Sequence, residues 1–276
     1  LSVDCDLLVV PEKVVPPEKA VNLANALHQS LDAEGFLQSV NPRHRPVGSP
    51  RRGIFFAGTC HDETDSEDLN KEISAVLAGL ESLAGNGVPQ GSPAEIIDSR
   101  CIKCLTCYRI CPHAALTIRS SGKPLIHPEA CFECGLCVSS CPAKAITQAG
   151  FTDNELVENA GGAETFVFAC ERSGTLAGKE ADRLGLSPEE NVKIQPVRCT
   201  GRVSVETMLM PLLQDARRVV VIGCYEGNCR SMDSGTLAPG RIKYTLEDMG
   251  ISSEKLSYSP IAANEPYKFK KIISKI

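Results

Sequence analysis

The residues with the clearest chemistry are eight cysteines that fall into two runs of identical spacing. Each run reads C-x2-C-x2-C-x3-C-P, and the second follows the first at a period of 30 residues. Thiolates ligate iron–sulfur clusters, and this spacing is the one that holds a pair of 4Fe–4S clusters. The sequence therefore predicts transfer of single electrons. The two runs are Cys101, Cys104, Cys107, Cys111 and Cys131, Cys134, Cys137, Cys141.

The fourth cysteine of each run is expected to ligate the cluster of the other run, as in bacterial two-cluster ferredoxins. Pro112 and Pro142 keep each run from continuing as a helix, because proline lacks an N–H and clashes with the preceding turn. Zinc and disulfides are the alternatives, but these runs fit the paired C-x2-C spacing of many zinc sites poorly. One cluster is then held by Cys101, Cys104, Cys107 and Cys141, and the other by Cys131, Cys134, Cys137 and Cys111.

A second group of cysteines follows predicted strands in the C-terminal part of the chain. Cys170, Cys199 and Cys224 each stand at or near a strand end, and Cys229 follows five residues after Cys224. Sites in parallel sheets lie beyond the carboxyl ends of the strands, so we expect four thiols along one sheet edge. Four thiolates suit a 2Fe–2S cluster or a zinc ion, and buried inert thiols are the third alternative.

Length and composition limit the classes of function. The chain has 276 residues, a formal net charge of −5 and 14 cysteines. The length allows two or three domains, and the absence of a Lys/Arg-rich block argues against a nucleic-acid partner. Cysteines in this number without a signal peptide indicate metal ligation in a reducing compartment. No apolar run is long enough to span a membrane, so we expect a cytoplasmic chain, or one docked through partners at the inner face of the membrane.

Residues 1–85 are predicted to form an α/β segment. The apolar run Leu7–Val10 predicts a strand, and helical periodicity predicts a helix over Glu18–Leu31. Gly53–Gly58 reads as a buried strand that ends at a glycine, and Glu67–Leu83 as an amphipathic helix. The chain begins with Leu1 and almost at once enters a strand. We therefore expect either the later part of a longer protein or a partner that completes this segment.

The rest of the chain divides into a linker and two domains. Gly and Pro mark residues 86–98 as a linker. The two cysteine runs define residues 99–148 as the ferredoxin domain, and alternating strands and helices predict a parallel-sheet domain over residues 160–276. The predicted fold class is therefore α/β plus a small α+β two-cluster ferredoxin domain, with a C-terminal parallel-sheet α/β unit. In this unit the predicted strands are Thr165–Ala169, Val192–Val197 and Arg218–Gly223, and the predicted helices are Ser204–Leu213 and Arg241–Met249.

The C-terminal domain resembles the delta subunit of methyl-viologen-reducing hydrogenase over residues 163–276. This resemblance implies one 2Fe–2S cluster, held by the four cysteines of the sheet edge. It also implies electron transfer between a hydrogenase or dehydrogenase and a heterodisulfide reductase. The sequence departs from the family at Ser173, where a second cysteine is frequent. The matching segments are Phe168–Cys170, Val197–Val203, Val221–Cys229 and Pro260–Glu265.

The N-terminal segment resembles the end of the flavin domain in the A subunit of heterodisulfide reductase. It is also similar to the B subunit of the quinone-interacting membrane-bound oxidoreductase. The matching residues are Asn41–Val47 and Gly53–Cys60. The resemblance implies contact of Gly58, Thr59 and Cys60 with FAD, although related flavoproteins often have an Asp after the glycine. The chain contains no G-x-G-x-x-G, so any FAD would be shared with a partner chain.

Several residues have a structural interpretation beside a functional one. Cys5 is expected to be a structural thiol, and Cys60 either a thiol at a strand–helix corner or a residue near a flavin. His113 and His127 are expected to lie at the surface or to support the clusters, because eight cysteines already supply the ligands. Arg43, Arg45, Arg51 and Arg52 form either a solvated loop or an anion contact.

The leading hypothesis is an electron-transfer subunit without catalytic residues of its own. Its partners would be flavoprotein, hydrogenase or dehydrogenase subunits on one side and a disulfide- or quinone-linked module on the other. Catalysis would belong to the whole complex, and the resemblance implies anaerobic metabolism. One alternative is a flavoenzyme subunit that completes a shared FAD site for electron bifurcation. The other alternative is a redox or metal sensor, but the sequence has no DNA-binding feature that would support it.

Overall fold

A computed structural model describes residues 15–27, 29, 31–39, 46–49, 51–62, 64–85, 91–186, 191–226, 229, 231 and 234–274. Cys5, the predicted strand Leu7–Val10, Arg43 and Arg45 lie outside these residues. The chain divides into two compact units, Leu1–Gly87 and Val88–Ile276. Among the described residues, no helix is both long enough and apolar enough to cross a membrane.

The first unit contains two helices, α1 (Ala20–Leu27) and α2 (Ser66–Gly85). Asp65 begins α2 by accepting hydrogen bonds from the backbone N–H groups of Glu67 and Asp68, each 2.8 Å long. A carboxylate at this position satisfies the free donors of the first helical turn. The prediction of an amphipathic helix here is confirmed, whereas α1 is shorter than the predicted Glu18–Leu31.

The predicted strand Gly53–Gly58 is wrong for the described residues. In its place, Phe55 forms only an isolated antiparallel bridge with Gly48. Gly53 and Gly58 adopt φ angles of 83° and 74°. These left-handed conformations are incompatible with continuous extended backbone, so turns flank the apolar run on both sides and it forms no continuous strand. Its Phe56 packs in a small core with Ala24 and Leu37.

The ferredoxin segment of the second unit consists of two matching halves. The first strand of the first half pairs antiparallel with the last strand of the second half, and the two inner strands pair with each other. This pairing is the one expected of a repeat related by a pseudo-twofold axis. The elements are β1 (Glu95–Ile96), α3 (Thr106–Ile110), β2 (Leu116–Ile118), β3 (Pro124–Ile126), α4 (Leu136–Ser139) and β4 (Ile146–Thr147).

The repeat extends to the backbone conformation of single residues. Matching positions of the two halves adopt left-handed φ angles between 48° and 72°, and all but one of these residues carry a side chain. Such turns aim successive N–H groups at a common point, which creates a concave site for negative charge. The three pairs are Lys103 with Glu133, Leu105 with Gly135, and Ala114 with Lys144.

The rest of the second unit is a parallel sheet with helices. Its strand order is β6-β5-β7-β8, and every neighbouring pair is parallel. The prediction of a parallel α/β unit is confirmed, and the helices α5, α6 and α9 and the strand β8 were not predicted. The elements are α5 (Asp153–Val157), β5 (Thr165–Cys170), α6 (Gly174–Arg183), β6 (Val192–Val197), α7 (Val205–Leu213), β7 (Arg218–Gly223), α8 (Ser234–Met249), β8 (Leu256–Pro260) and α9 (Pro266–Ile273).

Both faces of this sheet are buried. Phe166 and Phe168 of β5 point into one apolar core, and Val167 and Ala169 point into the other. Strands covered on both faces read as continuous apolar runs, which explains why β5 and β7 were recognisable in the sequence. The helix α8 begins seven residues before the predicted Arg241 and contains Pro239. That proline obscured its first turns.

Candidate iron–sulfur centres

The four thiols predicted for the first cluster line one cavity. Its volume is about 320 Å³, including the part that opens to solvent. Three of the thiols come from the first cysteine run and the fourth from the second. The remaining wall is mostly apolar, which suits a cluster that is to be shielded from water. The lining includes Cys101, Cys104, Cys107 and Cys141, together with Ile96, Leu105, Pro124 and Ile146.

Hydrogen bonds from nearby donors reach the sulfurs of this first site. The N–H of Ala145 donates to Cys141 Sγ over 3.3 Å. The hydroxyl and the N–H of Thr106 lower the pKa of Cys104, because both donate to its sulfur. Burial raises the pKa of Cys107 instead. Donors of this kind stabilise negative charge on cluster ligands and are one determinant of the reduction potential.

The four thiols predicted for the second cluster also lie together, and they are more deeply buried. Burial raises the pKa of Cys134 to about 12 and that of Cys137 well above its ordinary value. The negative charges of Cys111 and Cys131 raise both pKa values further. Buried thiols at this spacing cannot ionise together in water-free surroundings unless positive charge compensates them. Iron ions supply that charge, so the donor set fits a cluster.

The third group of thiols lies at the edge of the parallel sheet. The sulfurs of Cys170 and Cys224 are 3.7 Å apart, and the N–H of Gly201 donates to Cys199 Sγ over 3.4 Å. The pKa of Cys224 is raised and that of Cys170 lowered, because the two thiols share one proton. Cys224 also lies 3.5 Å from the hydroxyl of Ser173, the position where the resembling family often has a cysteine.

Tyr258 marks the point on which these four thiols converge. Its hydroxyl donates to the backbone carbonyl of Cys224 over 3.0 Å. Burial raises the pKa of Tyr258, and the negative charge of all four cysteines raises it further. The sheet edge thus brings together the thiols that strand-end reasoning selected. In the described ranges, no three His, Cys, Asp or Glu side chains are grouped to hold a single metal ion. An iron–sulfur cluster does not need such a grouping, because its thiolate ligands are distributed over several irons.

The second and third groups of thiols meet at one buried contact region. Cys134 and Leu136 of the ferredoxin segment pack with Cys199 of the sheet domain, and Cys229 packs against them. We call this contact region the seam. It brings the second group of ferredoxin thiols next to those of the sheet edge.

Arginines reinforce the seam, and they were not recognised in the sequence. The guanidinium of Arg241 donates to the carbonyls of Gly201 and Val203, each over 2.8 Å. It also donates to the hydroxyls of Ser139 and Ser140, over 3.0 and 3.2 Å. These hydroxyls lie more than 100 residues earlier in the chain. No local pattern could therefore have indicated the contact.

Arg202 is the second such residue, and only 2% of it is exposed. Its guanidinium donates to the carbonyl of Phe151 and to Asp153, the latter over 2.9 Å. Its aliphatic stem packs on Gly135, where an added Cβ would lie 2.5 Å from Arg202 Cδ. Gly135 thus has two reasons to lack a side chain, its left-handed backbone and this contact.

The two histidines beside the cysteine runs do not share one environment. His113 is buried, stacks on Phe132 with ring centroids 4.2 Å apart, and lies 3.2 Å from the hydroxyl of Ser231. His127, which is only partly buried, lies 2.8 Å from the hydroxyl of Thr117. His113 therefore supports the ferredoxin segment, and His127 lies at its surface.

The residues predicted to meet FAD are engaged within the first unit. The N–H of Gly58 donates to the carboxylate of Glu72 over 2.7 Å, Thr59 is exposed, and Cys60 Sγ lies 3.3 Å from the carbonyl of Ala57. The FAD contact remains a prediction. Arg51, of the predicted basic patch, donates to the carbonyl of Leu27 over 3.0 Å.

Comparison with known protein families matches two parts of the chain. Residues 165–276 match the family described as methyl-viologen-reducing hydrogenase, delta subunit. Residues 100–145 match a 4Fe–4S dicluster domain. The first match covers the four thiols of the sheet edge, and the second covers both cysteine runs.

Individual relatives fall into two groups. The A subunit of ferredoxin:CoB-CoM heterodisulfide reductase from Methanosarcina mazei is 25% identical over 98% of this chain and 35% of its own length. The protein of that name from Methanosarcina acetivorans is 27% identical over 92% of the chain and 32% of its length. The chain therefore spans about a third of these relatives. The iron-sulfur D subunit of F420-non-reducing hydrogenase from Archaeoglobus profundus is 30% identical over 38% of this chain and 80% of its own length.

Proposed function

We propose that this chain relays single electrons within a multi-subunit oxidoreductase related to heterodisulfide reductase. Through residues 165–276, the chain belongs to the family of the methyl-viologen-reducing hydrogenase delta subunit. The observation that carries the proposal is the seam, where Cys134 packs with Cys199 and Cys229. Ligand groups in direct contact make a continuous path for electrons between the ferredoxin segment and the sheet domain.

The proposal assigns three clusters, which supply one-electron oxidation and reduction when bound. The chain's own residues hold them, exclude water and donate hydrogen bonds to their sulfurs. The first site (4Fe–4S) is Cys101, Cys104, Cys107 and Cys141; the second site (4Fe–4S) is Cys111, Cys131, Cys134 and Cys137; the third site (2Fe–2S) is Cys170, Cys199, Cys224 and Cys229.

The names of the relatives support a place in a larger complex. Two carry the name of the A subunit of a ferredoxin:CoB-CoM heterodisulfide reductase, and one carries that of the D subunit of a hydrogenase. We therefore place this chain between a ferredoxin, hydrogenase, dehydrogenase or flavoprotein on one side and a disulfide- or quinone-linked module on the other. Catalysis at the terminal substrates belongs to those partners.

The content of iron and acid-labile sulfide in anaerobically purified protein tests the assignment. Full loading gives about ten irons per chain, and a Cys170→Ser/Cys199→Ser variant keeps about eight. A wild-type value of about eight contradicts the third cluster, and zinc found in its place assigns that site to zinc. The flavin content of the same preparation, taken with its partner subunits, tests the predicted FAD contact.

A further inference from the structure

The first and second sites differ in their access to solvent. The second is enclosed at the seam, where Cys134 is packed between Leu136 and Cys199. The first lines a cavity that opens outward, and Ile102, between two of its cysteines, is 64% exposed. Ile102 lines this cavity beside the predicted ligands, yet most of its side chain is left open to solvent. A partner that reaches the ferredoxin segment at this surface meets the first site.

Basic side chains contact the loop that carries this isoleucine, although the whole chain has a net charge of −5. Arg119 pairs with Asp98 over 2.8 Å, and Lys123 donates to the carbonyl of Asp98 over 2.7 Å. These contacts tie the β2–β3 turn to the loop that carries the first cysteines. We call the surface formed by Ile102, Lys103, Arg109, Arg119 and Lys123 the Ile102 face.

Two further contacts place the remaining cations beside the same cavity. Arg109 donates to the carbonyl of Cys104 over 2.8 Å. The side chain of Lys103 lies against Gly122, where an added Cβ would be 3.8 Å from Lys103 Cδ. The Ile102 face thus joins an apolar residue to four basic side chains, of which Arg119 is paired with the carboxylate of Asp98.

We propose that the Ile102 face docks a small acidic redox protein, which exchanges one electron with the first site. The inference rests on the proposed function and names the surface and the partner chemistry that the function needs. In the forward direction the partner's centre loses one electron and the first site gains it, without transfer of a proton or an atom. Transient redox complexes are small, with opposite charges that steer the encounter and an apolar centre that excludes water.

The test measures reduction of the anaerobically loaded chain by an acidic two-cluster ferredoxin in a stopped-flow spectrometer. Lys103→Glu/Lys123→Glu reverses two charges of the face. Glutamate is tolerated at such a backbone position, because Glu133 adopts φ 59° at the matching site of the other half, where Lys103 has 60°. Lys179→Glu/Lys243→Glu is the control, since it changes the charge equally at exposed positions of α6 and α8.

We expect the second-order rate constant of Lys103→Glu/Lys123→Glu to fall at least tenfold at low ionic strength, with a weaker dependence on salt. The control should stay within twofold of wild type. Ile102→Ala should slow the reaction while leaving its salt dependence unchanged. The docking proposal is overturned if the charge-reversed variant keeps the wild-type rate and salt dependence, or if the control slows equally.

A neutral deazaflavin radical, generated photochemically, separates docking from loading. It needs no docking site, so it should reduce the wild type and all variants at similar rates. A charge-reversed variant that the radical reduces normally but the ferredoxin reduces slowly supports the proposal. A wild-type chain that contains no iron, or that the radical does not reduce, contradicts the proposed function itself, and the docking proposal then falls with it.

Discussion

Arg241 carries a positive charge into the seam, yet among the described residues it bonds only neutral oxygens. Among the described residues, the negative charge of the Cys199 thiolate is close enough to raise the pKa of Arg241. Burial and the neighbouring charge of Arg202 lower that pKa, but the pKa of a guanidinium is ordinarily so high that the group stays charged at neutral pH. Since reduction adds negative charge to a cluster, a buried cation beside it favours the reduced form.

Replacing Arg241 should therefore lower reduction potentials at the seam. In Arg241→Gln we expect the midpoint potentials of the second and third sites to become more negative, while Arg241→Lys restores much of the shift. Loss of the charged donors also destabilises the fold by about 1.5–3 kcal/mol. A redox titration followed by electron paramagnetic resonance measures the potentials. Arg217→Gln is the exposed control, and unchanged potentials in Arg241→Gln refute the electrostatic role.

Gly135 allows a prediction that separates backbone strain from packing. Gly135 and Gly250 have similar φ angles of 72° and 63°, but only Gly135 has an Arg202 side chain where a Cβ would lie. Alanine at either position costs about 1–2 kcal/mol for the left-handed backbone. Gly135→Ala should cost about 1–3 kcal/mol more for overpacking. Urea unfolding of both variants measures the difference, and equal losses would rule out the packing contribution.

At the scale of elements, the ferredoxin segment depends on its ligands more than on its strands and helices. Its strands have two or three residues, and its helices have five and four. Helices of this length and isolated two-stranded sheets are not stable alone in water. The sheet domain, in contrast, has an apolar core on each face. The two parts should therefore respond differently to the loss of iron.

Removal of iron with a chelator under anaerobic conditions tests this difference. We expect the amides of β2 and β3 to lose their protection against hydrogen exchange, because metal binding supplies much of the folding free energy of such small segments. The amides of β5 and β7 should remain protected and act as the internal control. Protection of β2 and β3 that survives complete iron removal would show that the segment folds without its clusters.

The same contrast explains which elements the sequence could predict. The cysteine runs are local patterns, and β5 and β7 are continuous apolar runs, so both were recognised. The strand at Gly53–Gly58 was wrong because an apolar run does not reveal left-handed glycines. The Arg241 contacts could not be predicted, because their partners are far apart in the chain and are neutral oxygens. The convergence of Cys170 and Cys224 followed from the strand-end rule alone.

At the scale of the whole second unit, the thiols of the second site contact those of both other sites. Cys134 of the second site packs with Cys199 of the third, and Cys131 of the second site shares a buried core with Cys107 of the first. In fully reduced protein, the paramagnetic signals of the second and third sites should therefore broaden each other. A Cys170→Ser/Cys224→Ser variant should sharpen the signal of the second site and leave that of the first unchanged. Equal sharpening of both signals would contradict this arrangement.

Lys103 and Glu133 occupy matching positions with nearly the same φ angle, yet their surroundings are opposite. Lys103 is exposed at the Ile102 face, whereas Glu133 is buried and pairs with Arg198 of the sheet domain over 3.4 Å. In a symmetric repeat, the two halves would have equivalent surroundings at matching positions. Here one half is joined to the sheet domain through the ion pair of Glu133, whereas the matching residue of the other half, Lys103, faces solvent, so the two halves of the repeat are no longer interchangeable.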